Sequence, residues 1–117
     1  MGLVARELES QGIATVVVGS ALDIVEHCGV PRYLYTDFPL GNPCGPPWQR
    51  EAQARIAAAA LDLLEAASAP RTTVQAADVW PGENGWRAGY NRIGPDNQAE
   101  LAATGEKRRQ WQSDTRL

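Results

Sequence analysis

The chain has 117 residues, of which 44% are hydrophobic, and a formal net charge of −3 at pH 7. A chain of this length has room for one compact domain. The acidic balance argues against a general basic surface for nucleic-acid phosphates, and no apolar stretch approaches the roughly 18 residues that span a bilayer. We therefore expect neither nucleic acid nor a membrane as a partner. The two cysteines are too few for a disulfide framework, so a cytoplasmic protein with reduced thiols is the expectation.

The N-terminal segment predicts a short helix followed by a strand. Leu3 to Gln11 consists of good helix formers and ends at Gly12, a residue typical of helix termination. The run from Ile13 to Val18 is rich in β-branched residues, which is typical of a strand buried on both faces of a parallel sheet.

A second helix and a second strand follow directly. Ser20 is a candidate N-cap for a helix over Ala21 to Cys28, and Gly29 stands where a C-terminal glycine is expected. Arg32 to Asp37 has the aromatic and apolar content of a strand. Strand, helix and strand within so short a span predict a parallel pair.

A rigid loop and a long helix come next. Phe38 to Pro47 contains four prolines and two glycines, so it is predicted to be irregular. From about Trp48 to Ala67, apolar residues such as Ile56, Ala60 and Leu63 recur at helical spacing.

The C-terminal third has a different character. We predict an α/β domain over residues 1–70, resembling half of a flavodoxin-like fold, and an irregular, aromatic-rich arm over residues 71–117. Within the arm, residues 72–74 resemble a strand end and residues 96–112 are compatible with a helix. The arm contains large rings that usually find burial against a neighbouring surface, either of the same domain or of another chain: Trp80, Trp86, Tyr90 and Trp111.

The loop from Thr36 to Pro47 is the strongest candidate for a functional site. It lies between the carboxyl end of a strand and the start of a helix, where open parallel sheets bind ligands. Cys44 in this loop is a candidate catalytic thiol, because helix N-termini stabilise thiolates. The plainer interpretation makes Cys44 one small residue of a stiff connection. Gly19 and Ser20 end the first strand at the same predicted edge.

Asp37 is the second candidate catalytic residue. A carboxylate at this edge can act as a general base or orient a substrate, although an aspartate before Phe-Pro also fits a simple turn cap. Ser20 likewise suits either a substrate hydrogen bond or an N-cap, and Gly19-Ser20 is too short for a dinucleotide fingerprint. The predicted substrate-binding residues are Gly19, Ser20, Asn42 and Gly45.

Metal binding within this chain is not predicted. A set made of His27, Cys28 and Cys44 has suitable ligand types, but its spacing matches no zinc finger or ribbon and it lacks a fourth ligand. A metal shared with another subunit, as in a lyase or hydrolase, remains an alternative.

Several strings of the sequence resemble the group of glycine, sarcosine and betaine reductase selenoprotein B and D-proline reductase. The resemblance covers residues 2 to about 67 and, weakly, the arm. It is carried by Gly2-Leu3-Val4-Ala5-Arg6-Glu7-Leu8-Glu9, Gly12-Ile13-Ala14-Thr15-Val16-Val17-Val18, Pro31-Arg32, Asp37-Phe38-Pro39-Leu40-Gly41-Asn42, Ile93-Gly94-Pro95-Asp96-Asn97 and Glu100-Leu101-Ala102.

The resemblance implies reductive cleavage of a carbon–nitrogen bond by a cysteine or selenocysteine located just ahead of the helix that matches Gly2 to Gln11. That redox residue has no counterpart in this sequence. We therefore expect a small subunit of a heteromeric reductase or lyase, acting on a small amine- or carboxylate-bearing compound, with the redox thiol or selenol supplied by a companion chain. The alternative from another class is a non-catalytic binding or scaffold subunit.

Overall fold

The computed structural model describes residues 1–82 and 85–115 of the chain. Five helices and three strands occur in those ranges, and no helix there is both long and apolar enough to cross a membrane. In chain order they are α1 (Gly2–Ser10), β1 (Val17–Gly19), α2 (Leu22–His27), β2 (Arg32–Tyr35), α3 (Arg50–Ala66), β3 (Thr72–Gln75), α4 (Trp86–Gly89) and α5 (Gln98–Asp114).

The three strands form one parallel sheet in the order β1-β2-β3. Val17 pairs with Tyr33 in the first ladder, and Tyr33 pairs with Thr73 in the second. The predicted α/β architecture, a small parallel sheet with flanking helices, is confirmed.

The sheet continues beyond residue 70, where the sequence predicted the end of the α/β domain. Strand β3 lies in the segment assigned to the arm, and the compact unit that contains it is Met1–Arg87. The reason is that β3 is short and carries little apolar periodicity of its own, so its pairing with β2 makes it a strand.

The core lies between the sheet and α3. Ile56, Ala60 and Leu63 recur at intervals of four and three residues, which places them on one face of α3, and all three are buried. They pack with Leu34 of β2 and with Phe38 just after it. Side chains alternate between the two faces of a strand, so Tyr33 and Tyr35 face away from this core.

Strand β1 differs from its prediction. The β-branched run was expected to be buried on both faces, but all three β1 residues are only half-buried, and Ile13 ahead of them is 51% exposed. The physical reason is position, because within residues 1–82 and 85–115 β1 pairs with β2 alone and so forms an edge of the sheet.

The second compact unit is Ala88–Leu117. Its main element, α5, contains no buried residue within the described part of the chain, and Trp111 is 66% exposed. The side chain of Asn97 closes the turn ahead of α5, since its Oδ1 accepts from the Gly94 N–H at 2.8 Å and its Nδ2 donates to the Arg92 carbonyl at 2.8 Å. The helix predicted near residues 96–112 is therefore present.

Candidate functional site

The loops that follow β1 and β2 meet through Thr36, which is fully buried. Its backbone N–H donates to the Gly19 carbonyl at 2.9 Å, and its hydroxyl donates to the Pro43 carbonyl at 2.8 Å. The Ser20 hydroxyl lies 3.3 Å from the Thr36 hydroxyl. The two loops are thus neighbours at the carboxyl edge of the sheet, where parallel sheets place ligand sites.

Ser20 does not cap α2, contrary to one of its two predicted roles. The N-cap is Ala21, which has no side-chain capping bond, and the helix begins one residue later than the sequence predicted. Because of that shift, the Ser20 hydroxyl faces Thr36 and joins the two loops.

Gly19 has a packing role at the same edge. A Cβ at this position would lie 3.0 Å from the Tyr33 hydroxyl, which is tighter than most real contacts. That hydroxyl is buried and has no hydrogen-bond partner among the described residues. Burial raises the pKa of Tyr33 to about 12, because the charged phenolate would lose its solvation there.

The loop between β2 and α3 is a series of tight turns. The Asn42 N–H donates to the Pro39 carbonyl at 3.0 Å, and the Gly45 N–H donates to the Asn42 carbonyl at 3.1 Å. Gly45 is buried at a φ of +109°, a backbone conformation that a side chain would strain. Asn42 and Gly45 therefore shape the loop through their backbones, and their predicted contact with a substrate stays a prediction.

Both cysteines are free thiols, in different surroundings. Cys44 is exposed at the loop surface and has no hydrogen-bond partner among the described residues. Cys28 is half-buried against α1, since a Cβ added at Gly2 would lie 2.8 Å from the Cys28 Cβ. Cys44 is the accessible thiol of the pair, and its catalytic role stays a prediction.

Asp37 is held by two donors. The Tyr35 hydroxyl donates to its Oδ1 at 3.0 Å, and the Arg87 guanidinium donates to the same oxygen. Arg87 also lies over the Trp86 ring, 4.8 Å from its centroid. The hydrogen bond from Arg87 lowers the pKa of Asp37, with a smaller contribution from Tyr35. A carboxylate stabilised in this way is a weak base, so the geometry suits an orienting role better than proton abstraction.

A shallow hollow of about 220 Å³ extends from Asp37 along the residues that follow β3, including Asp78. Asp78 accepts a hydrogen bond from Arg55 at 2.8 Å, so both aspartates of this hollow carry an arginine partner. Neither Arg87 nor Arg55 was predicted at this edge, because neither belongs to a local motif that points to it.

The described residues contain no group of three histidine, cysteine or acidic side chains placed to hold a metal ion. His27, Cys28 and Cys44 accordingly do not converge.

Comparison of the chain with protein-family models, with curated proteins and with solved structures found no match. The resemblance to the selenoprotein B group stays a prediction made from the residues quoted above. The fold and the site define a small α/β unit with a three-stranded parallel sheet, whose first two strand-end loops are joined at one edge.

The ion pair at Asp37 predicts a specific pH dependence of stability. The folded state lowers the pKa of this carboxyl, so its contribution is present above the unfolded value of about 3.9 and is lost as pH falls through the folded value. Urea unfolding, followed by circular dichroism between pH 6 and pH 3, measures this contribution. As the pH falls, the free energy of unfolding should decrease less for Asp37→Asn than for the wild type. Asp62→Asn on α3 serves as the control, and identical slopes for wild type and Asp37→Asn would contradict this assignment.

Proposed function

We propose that this chain is one subunit of a heteromeric reductase or lyase that cleaves a carbon–nitrogen bond of a small amine- or carboxylate-bearing compound. A companion chain provides the attacking thiol or selenol. The observation that carries the proposal is the joining of the two loops by Thr36, which leaves Cys44 exposed at the carboxyl edge of the sheet.

The sheet edge supports the need for a companion chain. Among the described residues no strand pairs with β1 on its outer side, and proteins usually shield such edges with charges, prolines or a covering element. The residues of β1 are Val17, Val18 and Gly19, which include neither a charge nor a proline. A strand from another chain would extend the sheet at this edge.

Trp48 also supports assembly. Its side chain is 97% exposed, and its φ of +64° is uncommon for a residue with a Cβ. Two open depressions, of about 460 and 420 Å³, are lined in part by Trp48. Exposed tryptophans that become buried on association are frequent binding hot spots, and this one lies four residues after Cys44.

The proposed reaction needs two thiol-type groups. A thiolate or selenolate of the companion attacks the substrate carbon, the carbon–nitrogen bond breaks, and the amine leaves with a proton. A second thiol then attacks the sulfur or selenium, the new bond to carbon breaks, and the carbon takes a proton. The two electrons come from the pair, which ends as a disulfide or its selenium equivalent. Cys44 is the candidate for the second thiol, and Arg87 with Asp37 would orient the substrate's charged groups.

The experiment uses the tagged protein, purified from its own cells together with its bound companion. Glycine, sarcosine and betaine, whose nitrogen leaves as a separate molecule, are supplied with dithiothreitol as reductant, and the released ammonia or amine is measured by NMR. We expect release by the complex, none by the isolated chain, and at least a tenfold loss in Cys44→Ser, with Cys28→Ser as the matched control. Amine release by the isolated chain, or none by any complex, would overturn the proposal.

The second candidate is a non-catalytic binding subunit. It is favoured by the surroundings of Cys44, which has no base within hydrogen-bond distance among the described residues. In that case a complex carrying Cys44→Ser would retain full activity, and both redox groups would belong to the companion.

A further inference from the structure

A second hollow lies at the opposite edge of the sheet from Cys44. It has a volume of about 190 Å³ and is lined by Glu26, Val30, Arg71 and Thr73. Val30 and Arg71 come just before β2 and β3, so the hollow lies near the amino ends of these strands. It is therefore separate from the loops of the proposed function and does not depend on them.

Arg71 adopts an unusual backbone conformation at this hollow. Its φ is +60°, a left-handed value that residues with a Cβ rarely adopt. The neighbouring backbone fixes it there, because the Thr72 N–H donates to the Pro31 carbonyl at 3.1 Å and the Thr72 hydroxyl donates to the Ala69 carbonyl at 2.7 Å. Glycine would adopt this conformation without strain. The presence of arginine at a strained position therefore points to a role for its side chain.

Gly29 provides the space for the Arg71 guanidinium. It has a φ of +68°, and a Cβ there would lie 3.3 Å from the Arg71 Nη2. Two left-handed positions from different loops thus place one guanidinium on the rim of the hollow.

Two opposite charges line the hollow without pairing with any described residue. Glu26 and Arg71 both line it, yet neither forms an ion pair within residues 1–82 and 85–115. The Thr73 hydroxyl likewise has no hydrogen-bond partner in that part of the chain. The hollow is therefore lined by a positive side chain, a negative side chain and a hydroxyl group, those of Arg71, Glu26 and Thr73.

We propose that this hollow binds a small zwitterion, a molecule with one ammonium and one carboxylate group close together, such as a free amino acid. Arg71 binds the carboxylate through its paired N–H donors, and Glu26 accepts from the ammonium group. Thr73 adds a hydrogen bond to either group. A ligand with only one of the two charges leaves the opposite wall unpaired and binds more weakly.

The test is an NMR titration of the ¹⁵N-labelled full chain with L-alanine, and with acetate and methylammonium as probes that carry one charge each. We expect L-alanine to shift the amides of Gly29 and Thr73 with a millimolar dissociation constant, and each single-charge probe to bind at least tenfold more weakly. Arg71→Gly and Glu26→Gln should each weaken L-alanine binding at least tenfold, whereas Arg50→Gln and Glu51→Gln should leave it unchanged.

Thermal unfolding of the same variants separates binding from folding. Arg71→Gly removes the backbone strain, so it should unfold no earlier than the wild type while losing the ligand. Thr73→Val provides a second variant with nearly unchanged shape. Equal affinity for L-alanine and acetate, equal binding by wild type and Arg71→Gly, or no binding at all would overturn the proposal. Sedimentation provides a further check. A dimer that is lost in Glu26→Gln and Arg71→Gly but is unaffected by L-alanine would also overturn the proposal.

Discussion

Replacing Ile56 by alanine is expected to destabilise the protein by about 2–5 kcal/mol. The Ile56 side chain is 1% exposed and packs with Leu34 and Phe38 between α3 and the sheet. Its truncation removes apolar contacts and leaves a cavity that the surrounding core fills only partly by relaxing. Native stabilities are about 5–15 kcal/mol in total, so the variant should lose a large share of its stability. Urea unfolding followed by the helical circular dichroism signal measures the change.

The matched control is Leu61→Ala in the same helix. Leu61 is 60% exposed, so its truncation should change the free energy of unfolding of the isolated chain by less than about 0.5 kcal/mol. An Ile56→Ala variant as stable as the wild type, or a Leu61→Ala variant equally destabilised, would show that α3 does not pack as described.

The parts of the fold that were predictable are those with a local pattern. The spacing of Ile56, Ala60 and Leu63 fixes the buried face of α3, because a helix places such residues on one side whatever the rest of the chain does. Strand β3 has no such pattern. Thr72, Thr73 and Gln75 are polar, and only pairing with β2 gives this segment its structure.

The burial of β1 illustrates the same limit. Its valines have the composition of a central strand, but whether a strand is central or at an edge depends on which other segments pair with it. Here β2 lies in the middle, with β1 and β3 on its two sides. Composition alone could not reveal that order.

The candidate site was predictable in position but not in contacts. The loops after β1 and β2 had to lie at one edge because parallel strands share a direction. The arginine partner of Asp37 was not predictable, since Arg87 is 50 residues away in a segment without helical or strand periodicity. Thr36 belongs to the loop that was predicted to form the site, yet the sequence around it does not indicate that its hydroxyl joins two loops.

The contact of Thr36 with both loops also predicts a large loss of stability when its hydroxyl is removed. Thr36→Val keeps the shape of the side chain but removes the hydroxyl that donates to the Pro43 carbonyl and contacts Ser20. Because the site is fully buried, water cannot replace the lost donor, and the expected cost is about 1–3 kcal/mol. Urea unfolding measures the loss of stability. Amide hydrogen exchange should also become faster at Gly45, whose N–H donates to the Asn42 carbonyl across a turn that contains Pro43.

Thr72→Val is the control, because it removes a similar hydrogen bond at an exposed position. The Thr72 hydroxyl also donates to a backbone carbonyl, that of Ala69 at 2.7 Å, but this bond is exposed. Water can solvate the freed carbonyl there, so the loss should be smaller than at Thr36. If the two variants lose the same stability, or if exchange at Gly45 is unchanged in Thr36→Val, then Thr36 does not hold the loop of Cys44 against the loop of Ser20. The carboxyl edge of the sheet would then lack the fixed geometry on which a shared catalytic site depends.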